Sequence, residues 1–271
     1  MVTVDINWLT SHLNDPNIVI IDARGLMPYR FGHIKNSVPL SVEQVILIAD
    51  NGSNLVIETQ TAEKLFSDLG IEDSKTVVVY GEYPDPSATR IVWTLIYYGH
   101  PIVKLLDVGY SQWQKAGLPI SLQVQTTTKK TIPTVPAAAS DSDIDVNFVA
   151  KIDPTIRADA QMIKEKQHDP NVIIVDARTP QEHFQARIPG SILNNWENGL
   201  GDYGKMIKDK DNLQKNFAEK GITTDKEVIC YCHSGMRASH AYLQFKQAGF
   251  DNVRLYDGSI IDWAQRRNPL R

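Results

Sequence analysis

The sequence is poor in cysteine, with only Cys230 and Cys232 among 271 residues. Both lie in a run that has the pattern of a strand, where alternate side chains leave the same face about 6–7 Å apart. That spacing is poorly suited to a disulfide bond between them. A disulfide scaffold is therefore not expected, and the protein is predicted to belong to a reducing compartment.

Long apolar runs and blocks of like charge are also missing. No stretch reaches the ~18 apolar residues that a membrane-spanning helix needs, and the opening MVTVDINWLTSHL lacks the basic and apolar regions of a signal peptide. A net charge of −4 and a pI near 6.0 give no indication of a nucleic-acid or membrane partner. The sequence predicts a soluble, cytoplasmic protein.

What the sequence does contain is an internal repeat. DPNIVIIDAR returns as DPNVIIVDAR with three Ile/Val exchanges, 154 residues later. Further pairs follow in the same order, at offsets that shrink to 150: HIKNSV with RIPGSI, KTVVVY with KEVICY, and GHPIVKLLDVGYSQW with GFDNVRLYDGSIIDW. An internal duplication predicts two domains, residues 1–125 and 144–271, joined by a Thr-, Pro- and Ala-rich linker at 126–143.

Each copy alternates short β-branched runs with helical patterns. Continuous apolar runs such as NIVIID and VVVY are typical of strands buried on both faces. The segments at 88–99 and 238–249 have the apolar spacing of helices that stop at a glycine. The chain is therefore predicted to be α/β, with two mainly parallel sheets covered by helices on both faces. Ligands of such sheets bind beyond the carboxyl ends of the strands.

The two copies differ in one loop at that edge. After VVVY the first copy has GEYPDPS, with Glu82 and Asp85, whereas the second has CHSGMR after VICY. Gly235 lets such a loop turn its N–H groups inward as an anion nest, and the helix predicted near Ala238 adds its positive end. This environment stabilises the thiolate of Cys232, whereas two carboxylates repel an anion. We expect a silent N-terminal domain and a catalytic C-terminal one.

These features resemble the rhodanese family. The resemblance is carried by D-x-R after an apolar strand, by RIPGSI, by the strand–Cys–loop–helix arrangement and by LYDGSIIDW. Two copies with a cysteine only in the second are similar to the tandem-domain thiosulfate and 3-mercaptopyruvate sulfurtransferases, so the resemblance implies two tandem rhodanese-like domains.

The resemblance also implies a reaction that needs no metal or organic cofactor. The Cys232 thiolate takes the outer sulfur of a small anionic donor, thiosulfate or 3-mercaptopyruvate, and becomes a persulfide. Cyanide, a thiol or a thioredoxin-like protein then accepts the sulfur. The CHSGMR loop shares Ser–Gly with mercaptopyruvate-type members but has neither cation of the thiosulfate type, so the donor stays open.

The predicted site consists of Cys232 as nucleophile together with its neighbours. The active-site loop is expected to comprise His233, Ser234, Gly235, Met236 and Arg237, whose amides would stabilise the persulfide. Arg178 ends a strand at the same edge and is a further candidate for donor binding. Because Asp176 and Arg178 recur as Asp22 and Arg24 in the silent copy, a structural ion pair is the alternative.

Other residues have simpler interpretations. Cys230 aligns with Val79 and is predicted to lie in a strand of the core, where a redox pair with Cys232 is the alternative. Trp196 would lie in the core or line the rim of the pocket, and Arg187 would reach the pocket or lie at the surface. The matching Trp113 and Trp263 are predicted to be core residues.

Three other functions compete with sulfur transfer. A phosphatase or arsenate reductase needs five residues between cysteine and arginine, and only four separate Cys232 from Arg237. A non-enzymatic binding module of the same fold would be expected to lack the thiol. A persulfide carrier that delivers sulfur to a protein has the same chemistry, and the sequence leaves it open.

Overall fold

The protein is described by a computed structural model that covers residues 2–124 and 147–271. The predicted linker, 126–143, lies outside these described residues, and the exact domain limits stay a prediction.

The N-terminal unit is built on a parallel sheet with the strand order β1-β8-β7-β2-β4. Two short antiparallel pairs, β3 with β9 and β5 with β6, lie outside it. Its elements are β1 Thr3–Val4, α1 Ile6–Ser11, β2 Ile18–Asp22, α2 Leu26–Arg30, β3 His33–Ile34, β4 Ser37–Pro39, β5 Ile46–Ile48, β6 Asn54–Val56, α3 Thr59–Asp68, β7 Thr76–Tyr80, α4 Ser87–Tyr97, β8 Val103–Leu106, α5 Tyr110–Lys115 and β9 Ile120–Ser121.

The C-terminal unit repeats this sheet with the strand order β10-β14-β13-β11-β12, again parallel throughout. Its elements are β10 Arg157–Ala158, α6 Ala160–Lys166, β11 Val172–Asp176, α7 Pro180–Gln185, β12 Ile192–Leu193, α8 Lys210–Ala218, β13 Glu227–Tyr231, α9 Met236–Ala248, β14 Val253–Tyr256 and α10 Ser259–Gln265. The equal strand orders confirm two copies of one α/β architecture.

Alternate residues of each central strand enter different cores, as the period of two requires. In β7, Val77 and Val79 join a core beneath α4, whereas Val78 and Tyr80 join one with α1 and α5. In β13, Cys230 lies with the α9 side and Ile229 with the α6 and α10 side. Helices therefore cover both faces of each sheet, as predicted.

The two units pack against each other through α4 and α9, and their facing cores form one apolar cluster. Thr89 Oγ1 and Ser239 Oγ lie 3.1 Å apart across this helix pair. At one edge the amide of Val56 donates to Asp257 Oδ2 at 2.9 Å. At the other, the amide of Met206 donates to the carbonyl of Asp107 at 2.7 Å. In each case a backbone amide of one unit donates to the residue that directly follows a sheet strand of the other unit.

No helix within the described ranges is long and apolar enough to cross a membrane.

Candidate active site

Cys232 directly follows β13 and opens the loop at the carboxyl end of this central strand. Its side chain is only 1% exposed. The sulfur accepts a hydrogen bond from the amide of Gly235 at 3.1 Å, and the Cys232 amide donates to Ser259 Oγ at 3.1 Å. The chain therefore curls around the sulfur and points a backbone N–H at it, which is the elementary unit of an anion nest.

The loop ends two residues earlier than the sequence predicts. Gly235 has φ of +88°, a left-handed conformation that glycine adopts without strain. This conformation lets the helix begin at the very next residue. As a result α9 begins at Met236 rather than near Ala238. Met236 and Arg237, predicted as loop residues, lie in the first helical turn, and the positive end of α9 is correspondingly closer to the sulfur.

The remaining predicted loop residues differ in exposure. His233 is exposed, Ser234 is half-buried and Gly235 is buried. A Cβ at Gly235 would lie 2.6 Å from Nη1 of Arg90 and 2.6 Å from the carbonyl oxygen of Asp257. The close approach as well as the conformation therefore requires glycine here.

Ser259, which the sequence reasoning missed, supports the loop from the start of α10. Its Oγ lies 3.9 Å from the Cys232 sulfur and donates to the carbonyl of Tyr256 at 2.8 Å. The next amide, of Ile260, donates to the Cys232 carbonyl at 3.2 Å. Ser259 matches Gly109 of the first copy, so a second difference between the copies was the available signal.

Arg237 is held by Glu182, a partner the sequence reasoning also missed. Nη1 and Nη2 each donate to one carboxylate oxygen at 2.7 Å. These bonds lower the pKa of Glu182 to about 2 and raise the pKa of Arg237. Glu182 also accepts the amide of Thr179 in a capping box at the start of α7. The guanidinium is thus fixed at the rim of the loop.

Arg178 has the geometry of a structural clamp. Its Nε and Nη2 donate to the two oxygens of Asp176 at 2.9 and 2.7 Å, and Nη2 also donates to the Ala186 carbonyl at 2.6 Å. Burial opposes ionisation of Asp176, but the bonds from Arg178 outweigh it and lower its pKa. In the N-terminal unit Arg24 makes equivalent contacts, with both oxygens of Asp22 and with the Gly32 carbonyl. The geometry favours the structural interpretation, and donor binding by Arg178 stays a prediction.

The other candidates are accounted for by packing. Cys230 is fully buried in β13, and burial raises the pKa of its thiol. Trp196 is buried and its ring contacts that of His240 at 4.9 Å. Arg187 donates to the His183 carbonyl at 3.2 Å. Trp113 and Trp263 are buried core residues, as predicted.

The equivalent position in the N-terminal unit is Gly81. Its carbonyl accepts a hydrogen bond from the Tyr110 amide at 2.9 Å, as that of Cys232 does from the Ile260 amide. The carboxylate of the next residue, Glu82, accepts hydrogen bonds from Ser111 Oγ and from the Tyr83 amide, both at 3.0 Å. A carboxylate of the chain itself is thus the acceptor at this edge of the N-terminal unit.

Over residues 2–124 and 147–271, no group of three His, Cys, Asp or Glu side chains is arranged to hold a metal ion. The site itself offers the thiol of Cys232 and a backbone N–H directed at its sulfur.

The sequence matches the model of the rhodanese-like domain twice, at residues 5–116 and 159–266. One match falls in each structural unit and together they span most of the chain. The chain therefore belongs to the rhodanese-like family, as a protein with two such domains.

Curated relatives share this organisation along their whole length. A protein of Mycolicibacterium smegmatis named "Putative thiosulfate sulfurtransferase" is 30% identical over 97% of this chain and 94% of its own. The sulfur carrier protein TtuD of Thermus thermophilus is 26% identical over 97% of this chain and 93% of its own.

A solved structure agrees with them. The crystal structure of SseA from Escherichia coli, described as a 3-mercaptopyruvate sulfurtransferase, is similar with a TM-score of 0.79. It is 26% identical, and the match covers 96% of this chain and 98% of SseA. By homology, these matches support a sulfurtransferase type of function, without specifying the donor or the acceptor.

Proposed function

We propose that the protein is a sulfurtransferase that carries a sulfane sulfur on Cys232, with thiosulfate as donor. The Cys232 thiolate attacks the outer sulfur of thiosulfate, the S–S bond of the donor breaks, and its electron pair leaves with sulfite. The product is a Cys232 persulfide anion. Cyanide or a thiolate then attacks the outer sulfur, and the Cys232 thiolate is regenerated.

The observation that carries this proposal is the hydrogen bond from the Gly235 amide to the Cys232 sulfur at 3.1 Å. A backbone donor fixed in this way stabilises negative charge on sulfur without reorganisation during the reaction. The N-terminal end of the 13-residue helix α9 and the guanidinium of Arg237 add to it. These features suit both the thiolate that attacks and the persulfide that results.

The donor is anionic in either candidate reaction. Thiosulfate has the support of the curated relative from Mycolicibacterium smegmatis. 3-Mercaptopyruvate is the second candidate, supported by the similarity to SseA. With that donor the C–S bond breaks, the thiol proton passes to the carbon that the sulfur leaves, and pyruvate is released. Arg237 at the rim would attract either anion.

The same chemistry also fits a persulfide carrier, the alternative that the similarity to TtuD supports. A carrier would pass its sulfur to a protein thiol, such as that of a thioredoxin-like partner, rather than to a small molecule. A cytoplasmic location belongs to the same proposal, because both cysteines are free thiols and free thiols persist in reducing compartments.

The test is the intact mass of the protein after incubation with thiosulfate and, separately, with 3-mercaptopyruvate. We expect wild type to gain one sulfur, which cyanide removes, and Cys232→Ser to gain none. Cys230→Ser is the matched control and should load normally, because its thiol is buried in β13.

Two results would contradict the proposal. If neither donor adds sulfur to wild type, the result favours a persulfide carrier that receives its sulfur from a partner protein. If Cys230→Ser is as inactive as Cys232→Ser, the two thiols act as a redox pair.

A further inference from the structure

Arg90 of the silent unit is an unusual side chain for its surroundings. It lies in α4, at the interface with the catalytic unit, and is completely buried. Its Nη2 lies 3.4 Å from the Asn54 carbonyl, and its Nε and Nη1 have no hydrogen-bond partner within the part of the chain that the structure describes. A buried guanidinium with so few partners is costly unless an anion compensates it.

This guanidinium lies behind the Cys232 loop. Nη1 is 2.6 Å from the position that a Cβ on Gly235 would take. Gly235 is the residue whose amide donates to the Cys232 sulfur. The cation of one unit therefore contacts the loop of the other at the point where that loop holds the sulfur.

The neighbouring charges do not balance. Asp257 is buried and is shared by two arginines. Its Oδ1 lies 3.0 Å from Nε of Arg157, and its Oδ2 lies 4.0 Å from Nη2 of Arg90. One of the two Asp257 oxygens also accepts the Val56 amide. Two cations and one carboxylate leave a positive charge at the interface. Burial lowers the pKa of Arg90, while the negative charges of Asp257 and of the Cys232 thiolate act to raise it.

We propose that Arg90 is a positioning residue for the Cys232 site, and that its charge, which Asp257 compensates only in part, stabilises the anionic form of the Cys232 sulfur across the domain interface. On this view the silent unit contributes directly to the chemistry of the catalytic one. The inference deepens the proposed sulfur transfer and rests on it for its biological meaning, but the charge effect itself can be tested without any sulfur donor.

Other charged and titratable groups also face the loop and form the background to any pH measurement. Arg237 is paired with Glu182, and Arg178 with Asp176. Arg90 differs from these arginines because it has no carboxylate within hydrogen-bond distance. The charged and titratable groups on the elements that pack around the loop include His233 in the loop, Cys230 in β13, Arg237 and His240 in α9, Glu182 in α7, Asp176 and Arg178 at the end of β11, Asp257 after β14, Arg157 in β10, and Arg90 in α4.

The experiment is a titration of the ultraviolet absorbance of the Cys232 thiolate, taken as the difference between each protein and the same protein with Cys232→Ser. Removal of the charge in Arg90→Met should raise the pH midpoint by about one unit or more. Arg90→Lys keeps the positive charge, so its pH midpoint should stay close to that of wild type. Thr89→Val removes the interdomain contact with Ser239 without a change of charge and should leave the midpoint in place.

A second variant covers the case in which Arg90→Met does not fold. Asp257→Asn makes the interface more positive, so it should lower the midpoint, in the direction opposite to Arg90→Met. A general loosening of the site would not move the two variants in opposite directions. An unchanged midpoint in folded Arg90→Met, or a raised one in Asp257→Asn, would overturn the role of Arg90.

The failure of this inference is separable from failure of the proposed function. If wild type loads sulfur and the midpoint ignores Arg90, only the role of Arg90 is lost. If the midpoint depends on Arg90 and no donor loads the protein, the proposed reaction is lost.

Discussion

The two strand-to-helix loops of this chain start from the same geometry and end in different chemistry. Gly81 and Cys232 both follow the central strand of their unit. Each carbonyl accepts an amide from the first turn of a later helix, Tyr110 of α5 for Gly81 and Ile260 of α10 for Cys232. In one loop a carboxylate, Glu82, takes the nearby donors. In the other, the sulfur of Cys232 takes the Gly235 amide.

The difference suggests how the two copies of one fold can take different parts. Glu82 in the N-terminal loop accepts the nearby donors, so this loop should have little attraction for an anion. The C-terminal loop leaves a sulfur as the acceptor and, on our proposal, gains a further charge from the N-terminal unit through Arg90. A unit without the thiol can therefore still contribute to the electrostatics of the Cys232 site.

The largest expected effect comes from a transplant of the nucleophile. A protein that combines Gly81→Cys with Cys232→Ser should gain no sulfur from thiosulfate, because Glu82 both occupies the local donors and repels the anionic donor. A Cβ at Gly81 lies 3.1 Å from the Cβ of Ala88, so the cysteine needs only a small local shift. Intact mass after incubation with thiosulfate is the measurement.

The control for the transplant is Gly81→Cys with Cys232 intact, which should load one sulfur per chain. A second sulfur, or any loading of the double variant, would show that the strand-end position alone is sufficient. The difference between the two loops would then not decide which of them accepts sulfur.

The next effect concerns a feature that the two units share. Asp22→Ala and Asp176→Ala each leave an arginine without its buried carboxylate partner, which typically costs about 3–5 kcal/mol in the free energy of unfolding. Both carboxylates are fully buried, so urea unfolding should report similar losses. At a temperature where both variants stay folded, sulfur loading should be unchanged in each. Loss of loading in Asp176→Ala alone would return Arg178 to the role of a donor-binding residue.

A smaller loss is expected from Gly235→Ala. The left-handed φ of +88° costs an alanine about 1–2 kcal/mol, and contacts of 2.6 Å with Arg90 and Asp257 add a packing penalty. We expect a loss on the order of 3 kcal/mol in thermal or urea unfolding. Gly221→Ala is the matched control: φ is +73° there, but nothing lies within 4 Å of the new Cβ. Equal losses in the two variants would mean that the close approach of Arg90 has no energetic weight.

The sequence was informative wherever the signal was local or repeated. Apolar runs predicted the central strands, the repeat predicted two equal sheets, and the isolated thiol drew attention to the Cys232 loop. The start of α9 was placed two residues late, because nothing in the residue pattern showed that Gly235 would turn directly into a helix.

The missed residues reach the site from a distance in sequence. Glu182 comes from α7, Ser259 from α10 and Arg90 from the other unit. The contacts of Glu182 and Ser259 exist only once the sheet of their own unit is assembled, and that of Arg90 only once the two units are docked. No spacing rule encodes either step.

The smallest effect should distinguish the units through an ion pair between positions 182 and 237 of the C-terminal unit. These positions hold Glu and Arg, whereas their equivalents in the N-terminal copy are Pro28 and Ser87. The bonds from Arg237 lower the pKa of Glu182 from 4.5 to about 2. The unfolded chain therefore binds a proton at Glu182 before the folded chain does as the pH falls, and the stabilisation, present above about pH 4.5, is lost towards pH 2.

We accordingly expect wild type to be more stable than Glu182→Gln by about 1 kcal/mol above pH 4.5, since the pair is partly exposed to solvent. The difference in melting temperature should shrink as the pH approaches 2. Glu219→Gln, at an exposed glutamate, should show no comparable pH dependence. A difference that persists unchanged down to pH 2 would mean that Glu182 acts through its capping contact with Thr179, which a neutral amide replaces imperfectly, and that Arg237 is free to turn towards a bound anion.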